Sequence, residues 1–558
     1  MAFEYFVNGK RITLPINPHK IAVRFREPSD LGIRRAAIDP KREVGAFDDR
    51  YEVPNEKLTV VDVANPQQRG VAHGVAAASN ALNADPNVEL VTPVFDLGTK
   101  QVIATDRILV GFKPETGEQA KEILKDYGGE ILETKADDEY LVQLKPNADP
   151  FDVIADLTKR AEVDYAEPDF VTVGQHRPRR IPPGETRARS RADGSAPSED
   201  VNSNPALHLP DESEFGFGAT GRTTTGAAPA PAAAGPDPLQ RFQYALKLTR
   251  AVEAWTLVTP APEIKVAILD EGVDVTHPDL AGALKGTFDA IDGNPNQQPN
   301  PWDGHGTACA GLAVAIGNNA QGIRGVAGGC SLLAVRIAFS PSPRGNWVTT
   351  NSQIQDAIDW AWRNGADILS NSWGGGAPSN AIINAFERAR TQGRNGKGCV
   401  ILVAAGNDAG PVDFPGNLPN VLTVSASNEF DEPKTRTSAD RETWWGSNFG
   451  PEVDIAAPGV HNYTTDIVGD GGYNSGGSLD SNYVSDFNGT SSATPIVAGV
   501  AALVLSANQN LREAQVRRIL KQTADRVGRV VYTNGRNDQM GNGRVNAAAA
   551  VRRAAEPV

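Results

Sequence analysis

Cysteine is nearly absent: the 558 residues contain three, Cys309, Cys330 and Cys399. Their spacing suits neither a disulfide framework nor the paired-cysteine clusters that hold zinc. They read as small buried hydrophobes, and their scarcity fits a reducing compartment without requiring one. The chain also has no charge-free run of about 18 apolar residues, the length a membrane-spanning helix needs, so no membrane span is expected. The first residues, MAFEYFVNGKRITLPINPHK, lack the apolar core of a secretory signal. The expectation is a cytoplasmic protein or one exported by another route. An excess of basic residues is missing too: the formal net charge is -14, which argues against a nucleic-acid partner.

What is present suffices for a large folded protein. Hydrophobic residues make up 40% of the chain, and its length suggests several domains. The clearest boundary is a stretch that cannot build a core. HRPRRIPPGETRARSR, from His176, carries its arginines among prolines and glycines, and GAAPAPAAAGPDP (226–238) is Ala/Pro low complexity. Residues 176–236 therefore read as a flexible linker.

Before the linker the sequence repeats itself. KIAVRF (20–25) matches RILVGF (107–112), and VELVTPVF (88–95) matches VDYAEPDF (163–170). The second copy reads strand, helix, strand, strand, helix, strand, which suits a small α+β unit with one antiparallel sheet. The expected divisions are 1–100 and 101–175 for the two copies and 237–558 for the remainder. Beyond the linker, apolar strands (IKVAILD, SLLAVRIAF, CVILVAAGN) alternate with amphipathic helices such as QIQDAIDWAWRNG. That alternation predicts a parallel sheet covered on both faces, with chemistry at the carboxyl ends of its strands.

Three polar residues fall at such ends. Asp270 closes VAILD, His305 lies in DGHGTACAG, and Ser491 opens SATPIVAGVAALVL. Singly they read as a turn acid, a structural histidine and a helix cap. Together they supply a hydroxyl nucleophile, a base to take its proton and a carboxylate to hold the base's tautomer. Small neighbours such as Gly304, Gly306, Gly489 and Ala493 leave room for a peptide backbone.

From about residue 237 to 554 the chain resembles the subtilisin-like serine proteases, the subtilases. HGTACAG resembles their histidine motif and NGTSSATP their serine motif, which points to Ser491 and not Ser492 or Thr490 as nucleophile. VAAGND resembles the oxyanion segment, with Asn407 as side-chain donor. ILSNSWGGG resembles the strand that pairs with substrate, through Ser372, Trp373 and Gly374. The resemblance further implies a side-chain pocket lined by Ala404, Ala405, Gly406, Phe414 and Gly416, with Asp408 near its mouth. GNNAQGIRGVAG resembles a calcium loop, implying a structural calcium held by Asn319 and Asp279 and no cofactor for catalysis. His305 and Asn407 argue against the related sedolisins, which carry glutamate and aspartate in these roles. Residues 105–173 resemble a subtilase prodomain. The implied function is a serine endopeptidase made as an autoinhibited, self-processing zymogen. Its partners would be protein or peptide substrates and its own front half. One departure stands out: the family's Asp-Ser-Gly or Asp-Thr-Gly is here Asp270-Glu271-Gly272. A peptide-binding descendant without catalysis and a front half built for protein interaction are the alternatives.

Overall fold

A turn of four residues, Leu97–Lys100, fuses the front half of the molecule into a single sheet. The computed structural model describes residues 3–26, 34, 37–38, 44–47, 52–64, 71–136, 138–146, 148–174, 235–473 and 481–556. The stretch read as a linker lies almost wholly outside them. The first unit contains a hairpin of β1 (Phe3–Val7) and β2 (Lys10–Leu14), then β3 (Ile16–Phe25), β4 (Val44–Phe47), β5 (Leu58–Val63), helix α1 (Val71–Asn83) and β6 (Val88–Leu97). The second contains β7 (Lys100–Phe112), α2 (Gln119–Asp126), β8 (Glu130–Ala136), β9 (Glu139–Gln143), α3 (Pro150–Leu157) and β10 (Val163–Gly174). β6 and β7 pair antiparallel from Leu97↔Lys100 to Val94↔Ile103, so the two units share one sheet.

The second half is built on seven parallel strands in the order β12-β13-β11-β15-β16-β17-β18. These are β11 (Lys265–Asp270), β12 (Leu284–Asp289), β13 (Ser331–Arg336), β15 (Ile368–Asn371), β16 (Val400–Ala404), β17 (Leu422–Ser427) and β18 (Ile455–Pro458). Their uniform apolarity has a direct cause, since both faces are buried. Along β11, Val266 and Ile268 face one core while Ala267 and Leu269 face the other. Helices α4 (His305–Val314) and α7 (Thr490–Ala507) lie in the first core; α5 (Asn351–Arg363) and α6 (Asn380–Gly396) cover the second. α7 is long and apolar enough to cross a membrane, but 89% of it is buried inside the protein. Its apolarity is that of a core helix. Outside the main sheet, β14 (Trp347–Thr350) leads into α5, and β19 (Asn462–Thr465) and β20 (Tyr483–Phe487) form a hairpin.

The halves are joined through that sheet's last strand. β10 pairs antiparallel with β14, from Val171↔Thr350 to Gly174↔Trp347, so the front sheet ends on a strand of the second half. Two carboxylates of β10 then cap two helices of the second half. Glu167 accepts from Ser379 Oγ and from the backbone N–H groups of Asn380 and Ala381 at the start of α6. Asp169 accepts from Ser352 N and Oγ, both at 2.9 Å, at the start of α5. Helix N-termini present unpaired N–H groups and partial positive charge, so acids belong there. Lys135 reaches Asp356 at 2.6 Å, and Arg388 reaches Glu139 at 3.0 Å.

Candidate active site

β11 runs out at its carboxyl end on Asp270, and α4 begins with His305. His305 Nδ1 lies 2.8 Å from Asp270 Oδ1, which also accepts from Glu271 N at 2.9 Å. All three side chains are buried. The close approach depends on Gly306: a Cβ there would lie 2.1 Å from Gly272 O. Burial works against the His305 imidazolium. The Asp270 charge and hydrogen bond, with Glu271 behind them, outweigh burial and hold the His305 pKa above its ordinary value; Lys100 opposes them. Glu271 is 3% exposed, so the departure from the family motif is an interior charge and not a solvated one. It faces Asp303, whose carboxyl is pushed up to about 8 by burial and then by Glu271.

Ser491 sits in the first turn of α7, after Gly489, whose φ of 115° is a conformation that residues with a Cβ rarely adopt. Its Oγ donates to Ser372 O at 3.1 Å, and its carbonyl accepts from Ser372 Oγ at 3.0 Å. Asn407 is fixed by Thr490, whose N–H and O–H both donate to Asn407 Oδ1 at 2.8 and 3.0 Å. The amide's NH2 end is thereby turned away from Thr490. Ser372, Trp373, Gly374, Ala405, Gly406 and Asn407 line one cavity with Ser491. Ala404 also lines it, and Asp408 and Asp413 give it an acidic side. Phe414 lines an adjoining crevice with Trp373 and Gly374, while Gly416 is in the wall behind, its carbonyl bonded to Thr423 Oγ1.

Two contributors were missed in the sequence. Cys309, read only as a small hydrophobe, stands one helical turn after His305. Its Sγ lies 3.9 Å from His305 Nδ1 and 3.5 Å from Ser491 O, tying α4 to α7. The i, i+4 spacing from His305 was the available signal. Thr490, set aside as a nucleophile, orients Asn407; only the fold brings those two residues together.

The structure brings the expected calcium pair, Asp279 and Asn319, into contact. Asp279 is fully buried, and its carboxylate accepts from Asn319 Nδ2 at 2.8 Å, Ile323 N at 3.0 Å and Tyr483 O–H at 2.9 Å. Asn319 Oδ1 is turned away, accepting from Gln321 N. Calcium needs a shell of oxygens. The Asp279 carboxylate and the Asn319 amide are brought together at this loop, where they would supply oxygen ligands to such an ion.

Comparison with known proteins agrees with this architecture. Residues 261–543 match the model of the subtilase family, and residues 98–169 match that of the fervidolysin N-terminal prodomain. A calcium-dependent protease of Nostoc sp. is 30% identical over 98% of this chain and 78% of its own length. Thermitase of Thermoactinomyces vulgaris is 34% identical over 55% of this chain and 95% of its own. The structure of fervidolysin from Fervidobacterium pennivorans, 22% identical, shares the fold with a TM-score of 0.57, over 80% of this chain and 61% of that one. With a family model covering half the chain and a full-length relative beside it, the protein belongs to the subtilase family of serine proteases and carries a fervidolysin-type N-terminal prodomain region.

Proposed function

We propose that Asp270, His305 and Ser491 form the catalytic triad of a serine endopeptidase that the front half holds inactive. The observation carrying this reading is the His305 Nδ1–Asp270 contact of 2.8 Å beside a serine at a helix start. Asp270 holds the imidazole with its proton on Nδ1, leaving Nε2 as base. The Ser491 hydroxyl turns from Ser372 O to His305, gives up its proton and attacks the substrate carbonyl. The oxyanion is met by the Asn407 NH2 and by the Ser491 backbone N–H at the positive end of α7. His305 then protonates the departing amine, leaving an acyl-serine. A water, deprotonated by the same histidine, releases the acid and restores Ser491.

The capping of α5 and α6 by Asp169 and Glu167, and the β10–β14 pairing, support inhibition over an independent binding role for the front half. β10 is directed along the edge strand that borders the cleft, as an occupying strand would be. The divisions 1–100, 101–175, 176–236 and 237–558 follow as first unit, inhibitory unit, processing segment and protease. The calcium dependence named for the Nostoc relative is carried over as structural, with Asp279 and Asn319 as the ligands expected from the sequence.

The test is Ser491→Ala. It should abolish peptide hydrolysis and fluorophosphonate labelling, and the chain should remain at full length, whereas the wild type should be cut between 171 and 238. Ser492→Ala should retain activity. Equal activity in the two variants would remove Ser491 from the nucleophile's role.

A further inference from the structure

The turn that joins the two front-half units is also one wall of the active-site cavity. Thr99 and Lys100 line it together with Asn407, Asp408, Asp413 and Ser491. Thr99 Oγ1 donates to Asp408 Oδ2 at 3.1 Å, a contact spanning 309 positions of sequence. The Lys100 stem lies along the substrate-pairing segment: a Cβ on Gly375 would be 3.0 Å from Lys100 Cε. Its ammonium stands 5.3 Å from the centre of the Trp347 ring, on the strand that pairs with β10. This turn is distinct from β10, which pairs with β14.

We propose that the Leu97–Lys100 turn is a second gate on the cleft, and that the acidic pocket it guards, with Asp408 and Asp413, selects substrates bearing a basic side chain beside the scissile bond. The inference rests on the protease reading above and adds to it a substrate class and a residue of latency. Two carboxylates on one small cavity repel each other and lose water when it is filled. A cation relieves both costs. In the closed chain Lys100 supplies that cation. In the opened enzyme an arginine or lysine of the substrate supplies it, whereas an apolar or acidic side chain leaves the acids uncompensated. Asp408 is half-buried and Asp413 exposed at the cavity wall, so salt weakens the preference.

Full-length protein cut once within 175–234 serves for both arms of the test. After the front half is displaced, matched peptide p-nitroanilides ending in Lys, Arg, Leu or Glu are compared. Lys and Arg should exceed Leu in kcat/KM by about tenfold, the scale of one exposed charge contact, and high salt should narrow the gap. Asp408→Asn with Asp413→Asn should lower the Lys/Leu ratio by a similar factor. In the cut complex with the front half still bound, as checked by gel filtration, Lys100→Glu and Lys100→Ala should turn over small peptides faster than wild type. Lys100→Arg should stay as latent as wild type. Enzyme that labels with fluorophosphonate and cuts peptides, yet shows no basic preference and no gain from Lys100→Glu, overturns this inference alone. Enzyme that neither labels nor cuts overturns the protease reading beneath it.

Discussion

At the scale of single residues, Glu271 is the position where this chain departs from its family and where the chemistry should register it. The side chain is interior, and its charge raises the His305 pKa alongside Asp270. In the proposed mechanism neutral His305 is the base, so a raised pKa places the acidic limb of kcat/KM at higher pH. Glu271→Gln removes one of the raising charges, and the limb should move to lower pH with the plateau changed by less than about threefold. A limb that stays in place would show that Glu271 does not act on His305. With Glu271 ionised, Asp303, at about 8, keeps its proton at neutral pH. The substitution of Glu for the usual hydroxyl residue was plain in the sequence. Its burial was not, because a charged residue after a strand is most often a surface turn.

At the scale of elements, loop 317–328 shows how a buried acid gathers partners from distant parts of the chain. A fully buried carboxylate requires partners. Asp279 finds them in Asn319, in the Ile323 backbone and in Tyr483 from β20. Tyr483 lies 204 positions away in sequence. The motif GNNAQGIRGVAG was legible, but nothing local in it announced a distant tyrosine hydroxyl. Tyr483→Phe keeps the ring and removes that donor. It should destabilise the protein by about 1–3 kcal/mol, the cost of a lost partner to a buried charge, read as a lower denaturant midpoint. An unchanged midpoint would mean that the hydroxyl contributes nothing to Asp279. The strands of the parallel sheet were legible because apolar runs of that length, alternating with amphipathic helices, allow few other arrangements. The hairpin of β1 and β2 was not, since strands of five residues carry little periodic signal.

At the scale of the whole molecule, docking of the front half is coupled to protons. Burial pushes Glu167 up to about 7, against the pull of its hydrogen bonds to Ser379, Asn380 and Ala381. Burial likewise pushes Asp356 up to about 7, with Lys135 opposing. Once the halves separate, both carboxyls return towards the ordinary range. Groups whose pKa is raised on docking bind protons more tightly in the docked state. Their contribution is full at acidic pH and is lost as pH rises through about 7. In protein cut within 175–234, the front half should therefore stay bound near pH 6 and release more readily near pH 8 to 9, roughly the window set by these shifts. Glu167→Gln should flatten that dependence. Equal retention across the range, followed by gel filtration, would show that other groups govern release.

The sequence by itself determined the layered α/β architecture, the order Asp270, His305, Ser491 and the family. Those rest on local features: apolar periodicity, small residues at strand and helix ends, and short motifs read in order. It also placed Asn407 and the segment Ser372–Gly374 beside them through their motifs. Only the tertiary structure decided which carboxylates face His305, that Tyr483 satisfies Asp279, and that Thr490 orients Asn407. It alone showed that Glu167 and Asp169 cap helices of the other half, and that the turn at Leu97–Lys100 borders the active-site cavity. Each of these is a pairing of polar groups well separated in the chain, from 35 positions for Asp270 and His305 to 309 for Thr99 and Asp408. Hydrophobic pattern leaves a trace in every turn of a helix or pleat of a strand. A single long-range hydrogen bond leaves none, because its partner is chosen by how the elements pack.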